Sequence, residues 1–333
     1  MPSPAELLNY DTALVLARQH ERTVYGPLAA PALLLTLDGA PASPDPIVVD
    51  WLRTLPAPVI GIGGAADASL ALACDCHVDA AAAAAPLLAT ATRAPIAAMS
   101  FVQLLRLLPS LSLSDALVAE SLAYATLQNG PEFRAWRDAH PPTPPAAGDH
   151  GPAVIAERDG ERLMLTLNRP SNRNAMTVEM RDALCEALQL AVIDTDIAHI
   201  EIRGRGKCFS TGGDLREFGS APDPATAHLV RSLALPGRVL ATIATRSTVT
   251  VHGACIGSGI EFPAFAGRLI ARADAWFQLP ELKFGLIPGA GGCVSISRRI
   301  GRQRTAWLGL CGQPIGSEQA LEWGLIDALA AQD

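Results

Sequence analysis

The chain has 333 residues, 49% of them hydrophobic but only 5% aromatic, and a formal charge of −7. That length allows one large domain or two modest ones with ample core, and an acidic chain with no long basic run is not built to take nucleic acid as its main partner. No apolar run reaches the roughly 18–20 residues of a membrane span without a charge or a proline, so no membrane partner is expected.

In chain order, "PALLLTLDG" (31–39) and "APVIGIGG" (57–64) read as strands, and "ASLALACDCHVDAA" (68–81) continues the apolar pattern. The stretch 57–80 shares its order of strand, glycine turn, small-residue helix and short strand with "STVTVHGACIGSGIEFPAFAGRLIARA" (247–273). It is shorter at the turn and has no equivalent of Gly-Ser-Gly-x-Glu there. A degenerate internal repeat is therefore expected. Residues 113–141 have strong helical character, with Ser114 as the expected N-cap. "AHPPTPPAAGDHGP" (139–152) then reads as a Pro/Gly-rich linker.

Beyond it, "RLMLTLNRP" (162–170) is a strand, and 177–196 a helix capped by Thr177 with Glu179 and Asp182 near its start. "HIEIRGRG" (199–206) is a strand, 226–245 a helix, and "STVTVHG" (247–253) a strand. Strands alternating with helices imply parallel pairing through βαβ crossovers. The cysteines Cys74, Cys76, Cys185, Cys208, Cys255, Cys293 and Cys311 are an odd set without a disulfide framework. Together with the lack of an evident signal peptide, they point to a reducing, cytoplasmic setting. Cys74 and Cys76, followed by His77, have no second ligand cluster, and no metal is expected.

Three glycine-rich loops follow strands in this second half: "GKCFSTGGDL" (206–215), "HGACIGSGIE" (252–261) and "FQLPELKFGLIPGAGG" (277–292). In a parallel α/β unit such loops gather at the carboxyl ends of the strands, where ligands bind. Their backbone N–H groups point at negative charge. The second loop holds one acid, Glu261, in an otherwise small and apolar run, and the third holds Glu281 after Pro280. A carboxylate is costly to bury unless something shares its site.

These loops, together with "LNRPSNRNAM" (167–176) and "IGSEQALEWGLID" (315–327), resemble the crotonase (enoyl-CoA hydratase/isomerase) superfamily over about residues 153–330. The resemblance implies an α/β fold with a ββα spiral core. It also implies acyl-CoA substrates, no separate cofactor because the CoA thioester is the substrate, and assembly as a homo-oligomer, a trimer or a hexamer. Carried over by position, the backbone N–H groups of Thr211 and Ser258 match the family's oxyanion hole. Two such donors stabilise the charge of a developing enolate. Glu261 and Glu281 match the two catalytic carboxylates of the hydratases: Glu261 activates water, and Glu281 moves a proton at C2. Arg169 and Arg173 resemble CoA-phosphate contacts. Ala175, Gly212, Asp214, Gly257 and Gly289 fall at matching substrate- or CoA-site positions, with Asp214 also expected to cap a helix. His252 reads as a turn residue, and Cys208, Cys255 and Cys293 as small fillers.

Thr211 and Ser258 stand where the family usually has Ala and Gly, and Pro263 removes a backbone donor just after the second loop. Family members also usually continue past "GLIDALAAQD" into further helices, which the N-terminal region 112–136 resembles. The organisation expected is therefore a degenerate crotonase-like half over 1–140, a linker over 141–152 and a catalytic domain over 153–333. The N-terminal helices are expected to complete the second half, and there is one active site per chain. Enoyl-CoA hydration is the leading expectation. Isomerisation or other enolate chemistry on an unusual acyl-CoA, and a non-catalytic acyl-CoA-binding subunit, stay open.

Overall fold

The structure, a computed structural model, describes residues 7–141 and 148–331. Its first part runs β1 (Leu7–Leu8), α1 (Tyr10–Arg18), β2 (Leu33–Thr36), α2 (Pro46–Thr54), β3 (Val59–Ile62), α3 (Ser69–Ala73) and β4 (Cys76–Val78), then α4 (Ala81–Arg93), α5 (Pro95–Leu107), α6 (Leu113–Gln128) and α7 (Pro131–Ala139). The four strands form a parallel sheet in chain order. All four residues of β3 are buried, as a central parallel strand covered on both faces requires.

The second part runs β5 (Val154–Asp159), β6 (Arg162–Leu167), α8 (Val178–Ile193), β7 (His199–Gly204), α9 (Pro224–Leu233), α10 (Pro236–Thr242), β8 (Ser247–Val251), β9 (Ala254–Ile256), α11 (Ser258–Glu261), β10 (Arg268–Ala271), β11 (Trp276–Gln278), α12 (Gly292–Cys311), β12 (Ile315–Gly316), α13 (Ser317–Trp323) and β13 (Ala328–Leu329). A six-stranded sheet has the order β13-β10-β8-β7-β6-β5, parallel except for the β5–β6 hairpin. β9 and β11 leave it to form a small second sheet with β12.

Local chemistry explains where expectation and structure part. Thr177 caps α8 by accepting the Met180 N–H, as its sequence position predicts. The helical stretch 113–141 is two helices, because Pro131 opens a new one after Gly130. Its cap is Ser112, which accepts the Asp115 N–H at 3.2 Å, rather than Ser114. The expected helix 226–245 likewise divides at Pro236, which starts α10. α12 breaks at Gly301, whose φ of +80° no helix accommodates.

Both parts of the chain contribute to one apolar core, and a second core around Leu33, Trp51 and Leu70 lies within the first part. Phe101 of α5 packs where a side chain on Gly309 of α12 would stand. Asp75 is buried and receives Arg106 at 2.5 and 2.9 Å and Arg302 at 2.9 Å, an acid held by one arginine from each part. The segments β3–α3–β4 and β8–α11–β10 show the same order of adjacent parallel strands. In the first, Asp38 fills the glycine turn, accepting the Gly64 N–H at 2.9 Å. Of the linker, 142–147 lie outside the described residues; Asp149, just after them, accepts the N–H and O–H of Ser171 at 3.0 and 2.7 Å. Cys74 and Cys76 are buried, and His77 hydrogen-bonds through Nε2 to the Gly63 carbonyl at 3.0 Å. Among the described residues no single helix is long and apolar enough to cross a membrane.

Candidate active site

The three glycine-rich loops lie side by side as one ladder. Ser210 pairs in parallel with Cys255, donating its N–H to Ala254 and accepting from Ile256. Ile256 in turn stands beside Gln278 in the β9–β11 register, and the Gly257 N–H donates to the Gln278 carbonyl at 3.0 Å. Gly212, at φ +83°, sits so close to the Ile256 carbonyl that a Cβ would meet it at 2.5 Å. The loops therefore need glycines for approach as well as for turning.

Glu261 ends α11 and Glu281 follows Pro280 at the start of a 3-10 turn, and both are buried, 3% and 7% exposed. They converge over Gly257, whose φ is +49°. A Cβ there would stand 2.5 Å from Glu281 Oε1 and 3.6 Å from Glu261 Oε1, so the two oxygens are at most about 6 Å apart. Both acids line one cavity of about 450 Å³ with Ser258, Tyr124 and Arg231.

Their environments differ. Glu261 Oε2 accepts the N–H groups of Ala290 and Gly292, at 2.7 and 3.0 Å, where α12 begins. Burial raises its pKa to about 7, against the opposing pull of those two donors. Glu281 Oε2 is buried with no hydrogen-bond partner among the described residues. Burial first, and then the neighbouring Glu261, push its pKa well above the usual carboxylate range. The two amide donors favour the charged form of Glu261, and burial with the neighbouring charge favours the protonated form of Glu281, a difference of the kind that acid–base catalysis uses.

Two residues from α6 support this site, Tyr124 on the cavity wall and Glu120 behind it, and neither was singled out in the sequence. Glu120, 2% exposed, accepts the Gly291 N–H at 2.7 Å and the Val294 N–H at 3.2 Å, between and beside the donors that hold Glu261. Burial and the charge of Glu261 raise its pKa to about 8. The Tyr124 ring packs against Gly289, where a Cβ would run into it. The visible signal was a Glu-Ser pair that would fall on the buried face of an otherwise apolar helix.

The remaining expected site residues divide. The Ser258 N–H has no backbone or side-chain acceptor among the described residues, and Ser258 Oγ is buried and unpartnered on the cavity wall. The Thr211 N–H is instead donated to the Arg173 carbonyl at 3.1 Å, so the two expected donors are not equivalent. Arg169 is tied up within the chain. All five of its N–H groups are used, on Glu179 (2.5 and 3.1 Å) and on the carbonyls of Gly151, Pro152 and Asn168, which leaves none for a phosphate. Arg173 is exposed in a left-handed turn, φ +52°, and its guanidinium has no partner among the described residues. Asp214 lines the cavity but caps no helix. It binds Arg216 and accepts from Asn172 at 3.1 Å, which holds its pKa down at about 2. Ala175 is buried behind the wall, Gly289 lies in it, and His252 braces a turn through the Gly206 carbonyl at 2.9 Å.

A family model described as enoyl-CoA hydratase/isomerase matches residues 159–333. The 2,3-dehydroadipyl-CoA hydratase of Escherichia coli is 32% identical over 180 residues, 54% of this chain and 70% of that protein. A probable enoyl-CoA hydratase of Mycobacterium bovis is 32% identical over 54% of this chain and 69% of its own. Among solved structures, a putative enoyl-CoA hydratase/isomerase from Mycobacterium abscessus superposes with a TM-score of 0.51 at 28% identity. It covers 54% of this chain and 71% of that one. The match falls on the half that carries the six-stranded sheet and both glutamates, and the chain belongs to the enoyl-CoA hydratase/isomerase family.

Proposed function

We propose that the protein adds water across the α,β-double bond of an acyl-CoA thioester. The observation that carries this reading is the unequal pair over Gly257: Glu261 holds two amide donors, while Glu281 has an unpartnered oxygen and is pushed further from the usual carboxylate range by burial and by Glu261. An isomerase needs one carboxyl to shuttle a proton, whereas hydration needs a base for water and an acid for carbon.

In this reading Glu261 takes a proton from water as its oxygen attacks C3. The π electrons move onto the thioester oxygen, near the unengaged Ser258 N–H. Glu281 then delivers its proton to C2, and exchange between the two carboxyls restores the starting state. The test is the loss of conjugated enoyl-thioester absorbance when the full chain meets crotonyl-CoA, with Glu281→Gln as control. Loss in the wild type that the substitution removes supports hydration. A shifted double bond would make the protein an isomerase, and no change with a folded protein, on crotonyl-CoA or on an enoyl-CoA ending in a carboxylate, would refute both.

A further inference from the structure

The cavity holds a cation that the acid pair does not use. Arg231, on α9, is part-buried in the same wall as Glu261 and Glu281. Its guanidinium lies 4.5 Å from the centre of the Tyr124 ring. It donates only to neutral oxygens: Ser121 Oγ at 3.1 Å, the Ser121 carbonyl at 3.3 Å and Gln128 Oε1 at 3.3 Å. No carboxylate pairs with it among the described residues, and two of its five N–H groups have no acceptor.

The other charges of the wall are already committed. Arg181 pairs with Asp182 at 2.7 Å, Asp214 with Arg216, and Glu217 accepts the Val178 N–H at 2.8 Å. Glu120, the acid closest in sequence on α6, spends both oxygens on amides of the α12 entry. The Tyr124 hydroxyl, beside Arg231, makes no hydrogen bond among the described residues. A desolvated cation without a paired carboxylate is costly, and burial pulls the Arg231 pKa down against the smaller opposing effects of Tyr124 and Glu120. An aliphatic acyl chain does nothing for that charge. A carboxylate matches the open guanidinium N–H groups and accepts from the phenol as well.

We infer that the acyl group taken by this cavity carries an anionic end, a carboxylate remote from the thioester, which Arg231 and Tyr124 bind. The inference rests on the acyl-CoA reading above, but it concerns binding and does not need turnover. It also gives α6 a role in choosing substrate, since Tyr124 and the Ser121 and Gln128 oxygens that aim Arg231 all belong to that helix.

The experiment is calorimetric titration of the full chain with two saturated six-carbon acyl-CoAs, one ending in a carboxylate and one in a methyl group. Saturated thioesters cannot be hydrated, so failure of the hydratase reading leaves this result intact. Tighter binding of the carboxylate form by tenfold or more, lost in Arg231→Gln and weakened in Tyr124→Phe, is the expected result. Equal affinities, or preference for the methyl form, in the wild type alone would overturn it, so the conclusion does not depend on either variant folding. Binding of neither would overturn the acyl-CoA reading together with it.

Discussion

Glu120 and Glu261, 141 positions apart in sequence, hold alternate amides of one turn: Glu261 takes the N–H groups of Ala290 and Gly292, and Glu120 takes the Gly291 N–H between them. The start of α12 is thus fixed by two carboxylates, one from each part of the chain. Replacing Glu120 by Ala orphans two buried N–H groups and opens a cavity, at a cost of roughly 2–4 kcal/mol. It also loosens the turn that aims Glu261. The expected outcome is a lower denaturant midpoint together with a lower kcat on an enoyl-CoA. A stability loss with kcat unchanged would show that Glu120 only braces the fold.

The same residue makes stability depend on pH. Its folded pKa of about 8 lies above the ordinary carboxyl value near 4.5, so the folded state binds the extra proton between those two limits. Its contribution is fully present below about pH 4.5 and fades as pH rises through 8, a change on the order of 4 kcal/mol. Glu120→Gln is uncharged throughout. Its unfolding free energy is expected to vary less between pH 5 and 8 than that of the wild type, as measured by denaturant titration at several pH values.

Activity should follow a bell. Glu261 must be ionised to take a proton, so kcat/KM rises as pH passes about 7. Glu281 must be protonated to give one, and its pKa is well above the ordinary value, so activity falls at higher pH. The two limbs belong to the pair jointly. Glu261→Gln should lose the acid limb and about 10²–10⁴ in kcat. A profile flat from pH 6 to 8 would contradict this division of roles.

Gly257→Ala tests the geometry directly. The added methyl meets Glu281 Oε1, and the backbone at φ +49° is strained for any side chain. About 100-fold loss of kcat is expected for displacing a catalytic group by an ångström, with a stability loss of only about 1–2 kcal/mol. Near-normal turnover would mean that Glu281 has freedom the structure does not show.

For the two arginines of the 167–176 loop, opposite outcomes are expected. Arg169→Ala removes five hydrogen bonds that tie Glu179 and three carbonyls together, so it should destabilise the fold by roughly 2–3 kcal/mol with little effect on KM. Arg173→Ala, at an exposed and unengaged side chain, should leave stability within about 0.5 kcal/mol and raise KM for an acyl-CoA. The reverse pattern would return the phosphate contact to Arg169.

How legible all this was depended on the range of the interaction. Thr177 announces α8 because cap and helix are adjacent, and Glu261 and Glu281 stand out because an acid in a small, apolar run is locally anomalous. Pro131 and Pro236 are equally local, yet apolar spacing continued across them and hid the breaks. The partners of Arg169 were out of sight because the carbonyls at 151 and 152 become its neighbours only when the β5–β6 hairpin closes, and Glu179 only when the turn at 170–172 folds α8 back. Glu120 and Tyr124 were missed although the helices around them were expected to complete the second half: the Glu-Ser pair marks a buried face, but nothing near it in sequence indicates that this face lies against the start of α12.

That shared turn has a consequence for how such a chain can change. Any recombinant that exchanges the first 140 residues for those of a distant relative, keeping the remainder, would swap one of the two acids on a common row of amides while retaining the other. Drift in either must be matched by drift in its counterpart, so lineages of this protein should show residues 120 and 261 replaced together. A catalogue of natural variants would then read as linked substitutions between segments that a domain boundary drawn at the proline-rich stretch would treat as independent.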